Sequence, residues 1–440
     1  MRAILSSVLG CLVLASAPVT TVFGQQSAIT AVPSQGLTLE GAEALALTNQ
    51  PRMLAAQLRA RASDQRIREA RSAFLPLMAF NATGVKVADA GTSTATGNIT
   101  TSAISDRFAY GGNLSQLVSD FGRTSALVGS VRATAEAQAD LATLTRAQVR
   151  LNVREAYYRV LGTEAVLRAA QAAQANRQLI SKQLSALAAS ELRSTLDVNF
   201  ANVLESEAEL AVVRAQSTVA QQRARLATAM GSIQPIAAPL ADIAAPDTPL
   251  PPDAESYLQT AQAQRADLNA VKAQQLAASE FALSEKRLSY PTLSVLAAGG
   301  EIPYRDHTLH DSYAAVGFNL NIPIFNGGLF AARRNEAELE ASARGRDVQQ
   351  VQLEVTEQVR DSWYQADEAY RSLDVSARLV AQSEEALRLA QDRYDAGLGS
   401  IVELNEAQLN ETSAEITAAD TTYTYLSRRV ELDFAAGLLN

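Results

Sequence analysis

The pattern of apolar and polar residues changes in the same order twice along the chain. One helical stretch, about Leu39 to Arg71, ends just before the letters FLP, and a second, about Ala254 to Arg287, ends just before SYP. A residue before proline is pushed out of the α region, so an extended segment is predicted to begin at each place. The chain therefore predicts two units with a common order of elements.

The extended segments alternate with a period of two, which is typical of β-strands. Between 315 and 325, one face carries only large apolar residues (Val316, Phe318, Leu320, Ile322 and Ile324). The segments PLMAFNA, YGGNLSQLV and PTLSVLA alternate more weakly, as strands of membrane barrels often do. Two strands are therefore predicted in each unit.

After the second strand the period becomes helical. Apolar residues recur three or four positions apart on one face, for example at Val149, Val153 and Val160. From Arg123 to about Ala189 there is no proline, so an uninterrupted helix there would be roughly 100 Å long at about 1.5 Å per residue. A globular domain does not require so long a helix.

The two units are a tandem duplication. VREAYY at 153–158 returns as VRDSWY at 359–364, an offset of 359 − 153 = 206 that holds without a gap from residue 114 to 231. Upstream, Pro76 matches Pro291, an offset of 291 − 76 = 215, so the nine-residue difference falls in one variable loop. We expect a signal peptide at 1–24, a first repeat at 25–234, a Pro-rich linker at 235–253 and a second repeat at 254–440.

Composition and charge narrow the class of protein. Met1-Arg2 and the apolar run from Ile4 to Ala17 have the order of a secretory signal peptide, and the only cysteine, Cys11, lies inside it. A lipoprotein site at Cys11 is disfavoured because the leader before it is short.

After residue 24 no apolar run approaches the roughly 20 residues of a membrane helix, so a membrane segment would have to be built from strands. The net charge of −9 argues against nucleic acid as a partner.

Three short motifs accompany the duplication, the strands and the long helices: DFGR at 120–123, NGG at 326–328 and RYDAGLGSIVELNEAQ at 393–408. With these features together, the chain resembles the TolC-type outer-membrane efflux protein family. The resemblance implies a mostly α protomer of long antiparallel helical hairpins plus four strands. It also implies a homotrimer whose twelve-stranded β-barrel in outer-membrane lipid continues into a periplasmic α-barrel.

The function that the resemblance implies is an outer-membrane exit duct of a tripartite efflux or type I secretion system. Such a duct conducts substrates passively from the periplasm to the exterior. Its partners would be a periplasmic adaptor (membrane fusion) protein and an inner-membrane transporter. The sequence does not separate small-molecule efflux from secretion of one protein.

The resemblance also assigns residues at the periplasmic entrance, near the second hairpin tip. Glu403 and Glu406 would form an acidic ring, and they share a helix face because they are three residues apart. The alternative is a pair of solvated surface glutamates. Tyr394 and Asp197 would form a latch between two coils, whereas the alternative is a surface tyrosine beside a helix end.

Glycines are expected at the turns. Gly397 and Gly399 suit a helix C-terminal turn that needs positive φ, and Gly399 stands where the family resemblance implies a latching arginine. The first tip, SELRST, has no glycine, so its turn should be built differently. Gly122, Gly327 and Gly328 are expected at the strand-to-helix junctions.

Other candidate chemistry is weak. His307 and His310 have no third ligand nearby, so an exposed loop is favoured over a metal site. Two mid-helix aromatic pairs, 157–158 and 363–364, suit packing between helices better than a ligand site. No motif of an enzyme or a cofactor site is present. The remaining alternative is a secreted structural or adhesive coiled coil, which predicts heptads without flanking strands.

Overall fold

The computed structural model describes residues 36–86, 107–191, 194–243, 249–304 and 310–440. The expected leader with Cys11, and also His307, lie outside this range. The elements in chain order are α1 Leu39–Asn49, α2 Pro51–Ser72, β1 Leu77–Val85, β2 Arg107–Ser119, α3 Arg123–Ala189, α4 Thr195–Ala229, α5 Glu255–Gln264, α6 Ala266–Lys286, β3 Thr292–Tyr304, β4 Ser312–Asn321, α7 Leu329–Asp395 and α8 Ile401–Ala435. The predicted mostly helical fold with four strands is confirmed.

The helical stretch that precedes each pair of strands is divided in two, which the sequence prediction missed. Gln50 is extended (φ −68°, ψ 115°) because Pro51 follows it and takes the first position of α2. Arg265 breaks the second stretch in the same way (φ −63°, ψ 121°) although no proline follows. Its buried guanidinium donates to the nearby Asp267 (2.9 and 2.5 Å) and, on other helices, to Gln358 (2.9 Å) and the Ala435 carbonyl (3.3 Å). A local contact and two tertiary contacts therefore stabilise this break.

The four strands form one antiparallel sheet in the order β1-β2-β3-β4. Strand β4 ends at Asn321, before Pro323, so it is shorter than the alternating segment of the sequence. The sheet passes directly into the long helices through left-handed glycines, with φ of 89° at Gly122, 63° at Gly327 and 85° at Gly328.

The long helices of the two repeats have equal lengths. Both α3 and α7 contain 67 residues, and both α4 and α8 contain 35. Their first residues are separated by 329 − 123 = 206 and by 401 − 195 = 206 positions. The gapless duplication read from the sequence is therefore present in the structure as two hairpins of matched length.

The segment between the repeats packs across the middle of the long helices. The Tyr157 hydroxyl lies 2.7 Å from the carbonyl oxygens of both Leu37 and Ala241. Arg223 binds Glu164 (2.6 Å) and donates to two carbonyls of this segment.

Among the described residues, no helix combines the length and apolar character that crossing a membrane requires.

Candidate functional site

The two hairpin tips have differently built turns. After α3, Glu191 adopts the left-handed region (φ 59°) without being glycine, and α4 begins behind the N-cap Ser194, which accepts from the Leu196 N–H (3.1 Å). After α7, Gly397 is left-handed (φ 72°), and α8 begins behind Ser400, whose hydroxyl accepts from the Glu403 N–H (3.1 Å). Ser400 and Glu403 thus stand at the spacing of a capping box.

The expectation of positive φ at both tip glycines is wrong for Gly399, because only Gly397 adopts it. The Gly399 N–H donates to the Arg393 carbonyl (3.0 Å), and a Cβ at this position would lie 3.2 Å from the Tyr394 nitrogen. Gly399 is therefore needed because the backbone passes close to the end of α7, and not because of its φ.

The tips of the two hairpins share one hydrophobic cluster. It contains Leu184 of α3, Ala201 of α4, Ala390 and Tyr394 of α7, and Ile401 and Leu404 of α8. Only 9% of Tyr394 is exposed. The tyrosine that the resemblance assigned to the latch is thus a buried side chain between two coils, rather than a surface residue.

Asp197 lies half-buried in the first turn of α4. Tyr394 lies near the end of α7, the helix that precedes the second tip. Both residues belong to the same end of the molecule.

The two tip glutamates differ in their surroundings. The Glu403 carboxylate lies 3.1 Å from Arg393 Nε across the α7–α8 turn. Glu406 is exposed and has no ion pair among the described residues. Because Arg393 and Glu403 are both about half exposed, solvent screens this pair. Sequence reasoning missed Arg393, although its position just before the tip turn is a local signal.

A layer of buried polar side chains lies one or two turns above the tip cluster. Arg177 of α3, which is 7% exposed, donates to Asn405 of α8 (3.2 Å), and Ser181 of α3 donates to Asn202 of α4 (2.8 Å). Burial lowers the pKa of the Arg177 guanidinium, and the negative charge of Glu207 partly opposes this. Arg177 thereby joins the first hairpin to the second.

Carboxylates crowd together further along the second hairpin. Burial raises the pKa of Glu411, and the negative charge of Glu415, a hydrogen bond with it and the charge of Glu384 raise it further. Within the described ranges, no three histidine, cysteine, aspartate or glutamate side chains group in a way that could hold a metal ion.

The sheet at the opposite end has two chemically distinct faces, which follow from its register. One face is largely apolar and carries Met78, Phe80, Leu114, Val295, Ala297, Val316, Phe318 and Leu320, with Gln116 as a polar exception. The other face is more polar and carries Asn81, Thr83, Asn113, Ser115, Ser294, Asn319 and Asn321 together with the apolar Leu77, Leu117 and Leu296. On the polar face the Asn81 amide donates to Asn113 (2.7 Å).

The junction between sheet and helix is held by charged groups. Asp120 accepts the N–H groups of Gly122 (3.1 Å) and Thr124 (2.7 Å), and Arg287 donates to the Gly122 carbonyl (2.6 Å). Burial raises the pKa of Asp120, but hydrogen bonds from Thr124 and Gly122 more than offset it, so the pKa lies below its usual value. At the second junction, a Cβ on Gly328 would have no described atom within 4 Å, whereas a Cβ on Gly122 would lie 2.9 Å from Arg287 Nη1.

The fold matches that of outer-membrane channels. The open-state MtrE outer membrane channel of Neisseria gonorrhoeae aligns with a TM-score of 0.76 at 19% identity, covering 93% of both chains. CusC, solved in work on transmembrane channel formation, aligns with a TM-score of 0.78 at 19% identity, covering 91% of this chain and 92% of its own. At these identities the likeness shows the fold.

The family follows from the sequence. The profile described as outer membrane efflux protein matches residues 44–232 and 257–438, and the chain therefore belongs to this family. It is a family of outer-membrane channels rather than of enzymes. The predicted family and the outer-membrane localisation are confirmed.

Curated relatives match over a shorter region. The outer membrane protein TolC of Salmonella enteritidis is 22% identical over 125 residues, which are 28% of this chain and 26% of that protein. TolC of Escherichia coli K12 is 23% identical over 125 residues, which are 28% of this chain and 25% of that protein. These alignments span about a quarter of the relatives' length.

Proposed function

We propose that three copies of this chain form a passive exit duct that conducts substrates from the periplasm to the exterior. The observation that carries this proposal is the four-stranded sheet, which has one largely apolar and one more polar face and is joined by short junctions to helices of 67 residues. Lipid would contact the apolar face, and water in the duct would contact the polar one.

The sheet needs further strands. Its outer strands, β1 and β4, pair on one side only among the described residues, and exposed strand edges are not tolerated in lipid. Four strands are too few to close on themselves, whereas eight or more can. Three copies would supply twelve strands, which supports the trimer that the family resemblance implies.

The helices supply the length of the duct. A helix of 67 residues measures about 100 Å at about 1.5 Å per residue, which is far more than the roughly 30 Å hydrocarbon core of a bilayer. Both hairpins reach the same level because α3 and α7, and also α4 and α8, are equal in length. The arrangement supports a periplasmic tunnel with its entrance at the hairpin tips.

The entrance would be closed by contacts between the coils and lined by carboxylates. In this proposal Tyr394 contacts Asp197 across neighbouring coils, and Glu403 with Glu406 forms rings of negative charge. Rings of carboxylates in a narrow pore favour cations and can bind a divalent ion that blocks passage. Arg393 partly neutralises the negative charge of Glu403, so Glu406 would contribute more of the negative charge that lines the entrance.

The partners would be a periplasmic adaptor that contacts the tips and an inner-membrane transporter that supplies energy. Either a tripartite efflux pump or a type I secretion system fits this duct. A secreted structural or adhesive coiled coil is disfavoured, because that class does not require a two-faced sheet at the end of the helices.

The proposal is tested on protein extracted from outer membranes in detergent. Electron microscopy should reveal a hollow threefold cylinder about 100 Å or more in length, and planar bilayers should conduct ions after insertion. Glu403→Ala with Glu406→Ala should weaken block by divalent cations. Solid rods, or monomers that insert without conductance, would contradict the duct, whereas unchanged block in a conducting trimer would move the constriction elsewhere.

A further inference from the structure

A cavity of about 760 Å³ lies beside the junctions through which α2 enters β1 and β2 leaves for α3. We call it the boundary cavity, because it lies where the helices meet the sheet. Its charged and large apolar lining residues are Arg71, Phe74, Leu75, Val128, Arg132 and Glu280. Charged and apolar side chains therefore line the same cavity.

The three charged groups of the boundary cavity have no ion-pair partner among the described residues. Arg71 and Arg132 are both exposed, and Glu280 of α6 is half-buried. None of the three lies in a salt bridge with another described side chain, although they line one cavity. The cavity thus offers two positive groups and one negative group to a ligand.

The boundary cavity lies on the outer side of the helical layer. Arg132 precedes Arg150 by 150 − 132 = 18 residues, which is about five turns of α-helix, so both lie on one side of α3. Arg150 donates to the carbonyl oxygens of Leu439 (2.9 Å) and Asn440 (2.7 Å), and its Nε lies 3.9 Å from Glu43 of α1. In the proposed duct this is the outer side, because three copies of these added segments would otherwise obstruct the lumen.

The apolar part of the boundary cavity adjoins the largely apolar face of the sheet. Phe74 and Leu75 are exposed and come just before β1, which begins at Leu77. The Phe74 carbonyl accepts from the Gln116 amide (2.8 Å), and Gln116 lies on the largely apolar face. Lipid that covers this face would therefore reach the cavity.

The positive charge belongs to the first repeat. Helix α2 carries six arginines and two carboxylates, a net charge of 6 − 2 = +4, whereas α6 carries two lysines and three carboxylates, a net charge of 2 − 3 = −1. At the equivalent place in the second repeat, Glu338 replaces Arg132 (338 − 132 = 206) and Ser289 replaces Phe74 (289 − 74 = 215). The combination therefore occurs once in each copy.

We propose that the boundary cavity binds a phospholipid whose headgroup carries both a phosphate and an ammonium group, as in phosphatidylethanolamine. Arg71 and Arg132 bind the phosphate through charge-assisted hydrogen bonds, and Glu280 accepts from the ammonium group. Phe74 and Leu75 pack against the acyl chains. A phospholipid without an ammonium group leaves Glu280 unpaired beside the phosphate, which selects against it. The inference rests on the proposed function, because the duct assigns the outer side.

The site is tested by native mass spectrometry of the detergent-solubilised full-length protein with short-chain phosphatidylethanolamine or phosphatidylglycerol. The protein should retain one phosphatidylethanolamine per copy, and less phosphatidylglycerol at the same concentration. Arg71→Gln with Arg132→Gln should weaken retention about tenfold, because two charge-assisted hydrogen bonds are lost. The matched control is Arg59→Gln with Arg66→Gln, which removes two exposed arginines about 120° or more around α2 from Arg71 and should leave retention unchanged.

Glu280→Gln tests the selection between headgroups. It should weaken retention of phosphatidylethanolamine and strengthen that of phosphatidylglycerol, because the carboxylate that favours one and repels the other is gone. An equal effect on both lipids would contradict the role of Glu280. Glycerophosphoethanolamine, which has this headgroup without acyl chains, should not displace the lipid at equal concentration. Displacement would mean that the cavity takes a soluble phosphate ester and not a lipid.

The outcomes separate the lipid site from the duct. Conducting trimers that retain both lipids equally, with or without Arg71 and Arg132, would overturn the site and leave the duct in place. A folded protein that stays monomeric, yet retains phosphatidylethanolamine only when both arginines are present, would support the site and contradict the duct.

Discussion

Tyr157 and Trp363 occupy equivalent positions of the two repeats, 363 − 157 = 206 residues apart, and both hydrogen-bond the backbone of neighbouring extended segments. The Tyr157 hydroxyl contacts the Leu37 and Ala241 carbonyls at 2.7 Å, and Trp363 Nε1 donates to the Pro251 carbonyl at 3.2 Å. Both side chains are buried. The linker between the repeats is thus fastened to both long helices by aromatic side chains, as expected of packing rather than of a ligand site.

Loss of the Tyr157 hydroxyl should loosen this fastening. Tyr157→Phe keeps the ring but removes the hydroxyl, while the Leu37 carbonyl still accepts from the Ala241 N–H (3.0 Å). The Ala241 carbonyl loses the hydroxyl as its donor, so we expect a loss of about 1–3 kcal/mol in the free energy of unfolding. Tyr364→Phe is the matched control, because Tyr364 is 64% exposed. Urea unfolding followed by fluorescence checks the difference. Equal midpoints for the two variants would mean that water replaces the hydroxyl without cost.

Arg393 should set the charge of the entrance. In Arg393→Ala the Glu403 carboxylate loses its partner at 3.1 Å, so the pore should prefer cations more strongly and divalent cations should block it at lower concentration. Arg378→Ala removes an exposed arginine that pairs with Asp374 (3.0 Å) on the same helix and serves as the control. Reversal potentials in planar bilayers measure both. Identical selectivity of the two variants would place Glu403 outside the conducting path.

Glu411 should make the second hairpin more stable in mild acid. Burial and then Glu415 raise the pKa of Glu411, with a smaller effect of Glu384, so its protonated form is favoured in the folded protein. The stability that it contributes is present below the ordinary glutamate pKa of 4.5 and is lost as the pH rises through the raised value. Thermal unfolding against pH should show this loss, and Glu411→Gln should flatten it.

The control for this pH dependence is Glu406→Gln, which changes an exposed carboxylate on the same helix. We expect it to keep the pH dependence of the unchanged protein. A profile that is equally steep in Glu411→Gln would contradict the assignment to Glu411.

Gly122 should be intolerant of a side chain. Its φ of 89° costs an L-residue about 1–2 kcal/mol, and a Cβ would lie 2.9 Å from Arg287 Nη1. Gly122→Ala should therefore reduce the yield and heat stability of the folded protein. Gly317→Ala in β4 is the control, because no atom of the described residues lies within 4 Å of a Cβ there. Similar behaviour of the two variants would show that Arg287 and the junction adapt without cost.

Local signals in the sequence were sufficient to predict where most of the helices and strands lie. The helix predicted from Arg123 to about Ala189 is α3 with the same ends, because the absence of proline and the helical spacing of apolar residues act within one turn of each position. The break at Pro51 has a local cause, the proline itself, but the sequence prediction treated the stretch as one continuous helix. The break at Arg265 has no proline, and besides the nearby Asp267 it involves contacts of Arg265 with Gln358 and the Ala435 carbonyl on distant helices.

For the candidate site, too, some features could be predicted from the sequence and others depend on tertiary contacts. Resemblance of the tip motif was enough to select Tyr394, Glu403 and Glu406, but it left open whether the tyrosine lies between two coils or on the surface, and it treated the two carboxylates alike. In the structure, Tyr394 is buried among side chains of both hairpins, and of the two glutamates only Glu403 forms an ion pair with Arg393. Neither feature follows from residue type or spacing.

The sequence by itself determined the duplication, the matched hairpin lengths, the strand segments and the family, because these depend on periodicity, composition and motifs along the chain. Only the tertiary structure decided which residues meet across it. Arg177 reaches Asn405 over 228 positions, and the strand register separates an apolar from a polar face. Such contacts arise from packing of distant segments, which local periodicity does not encode.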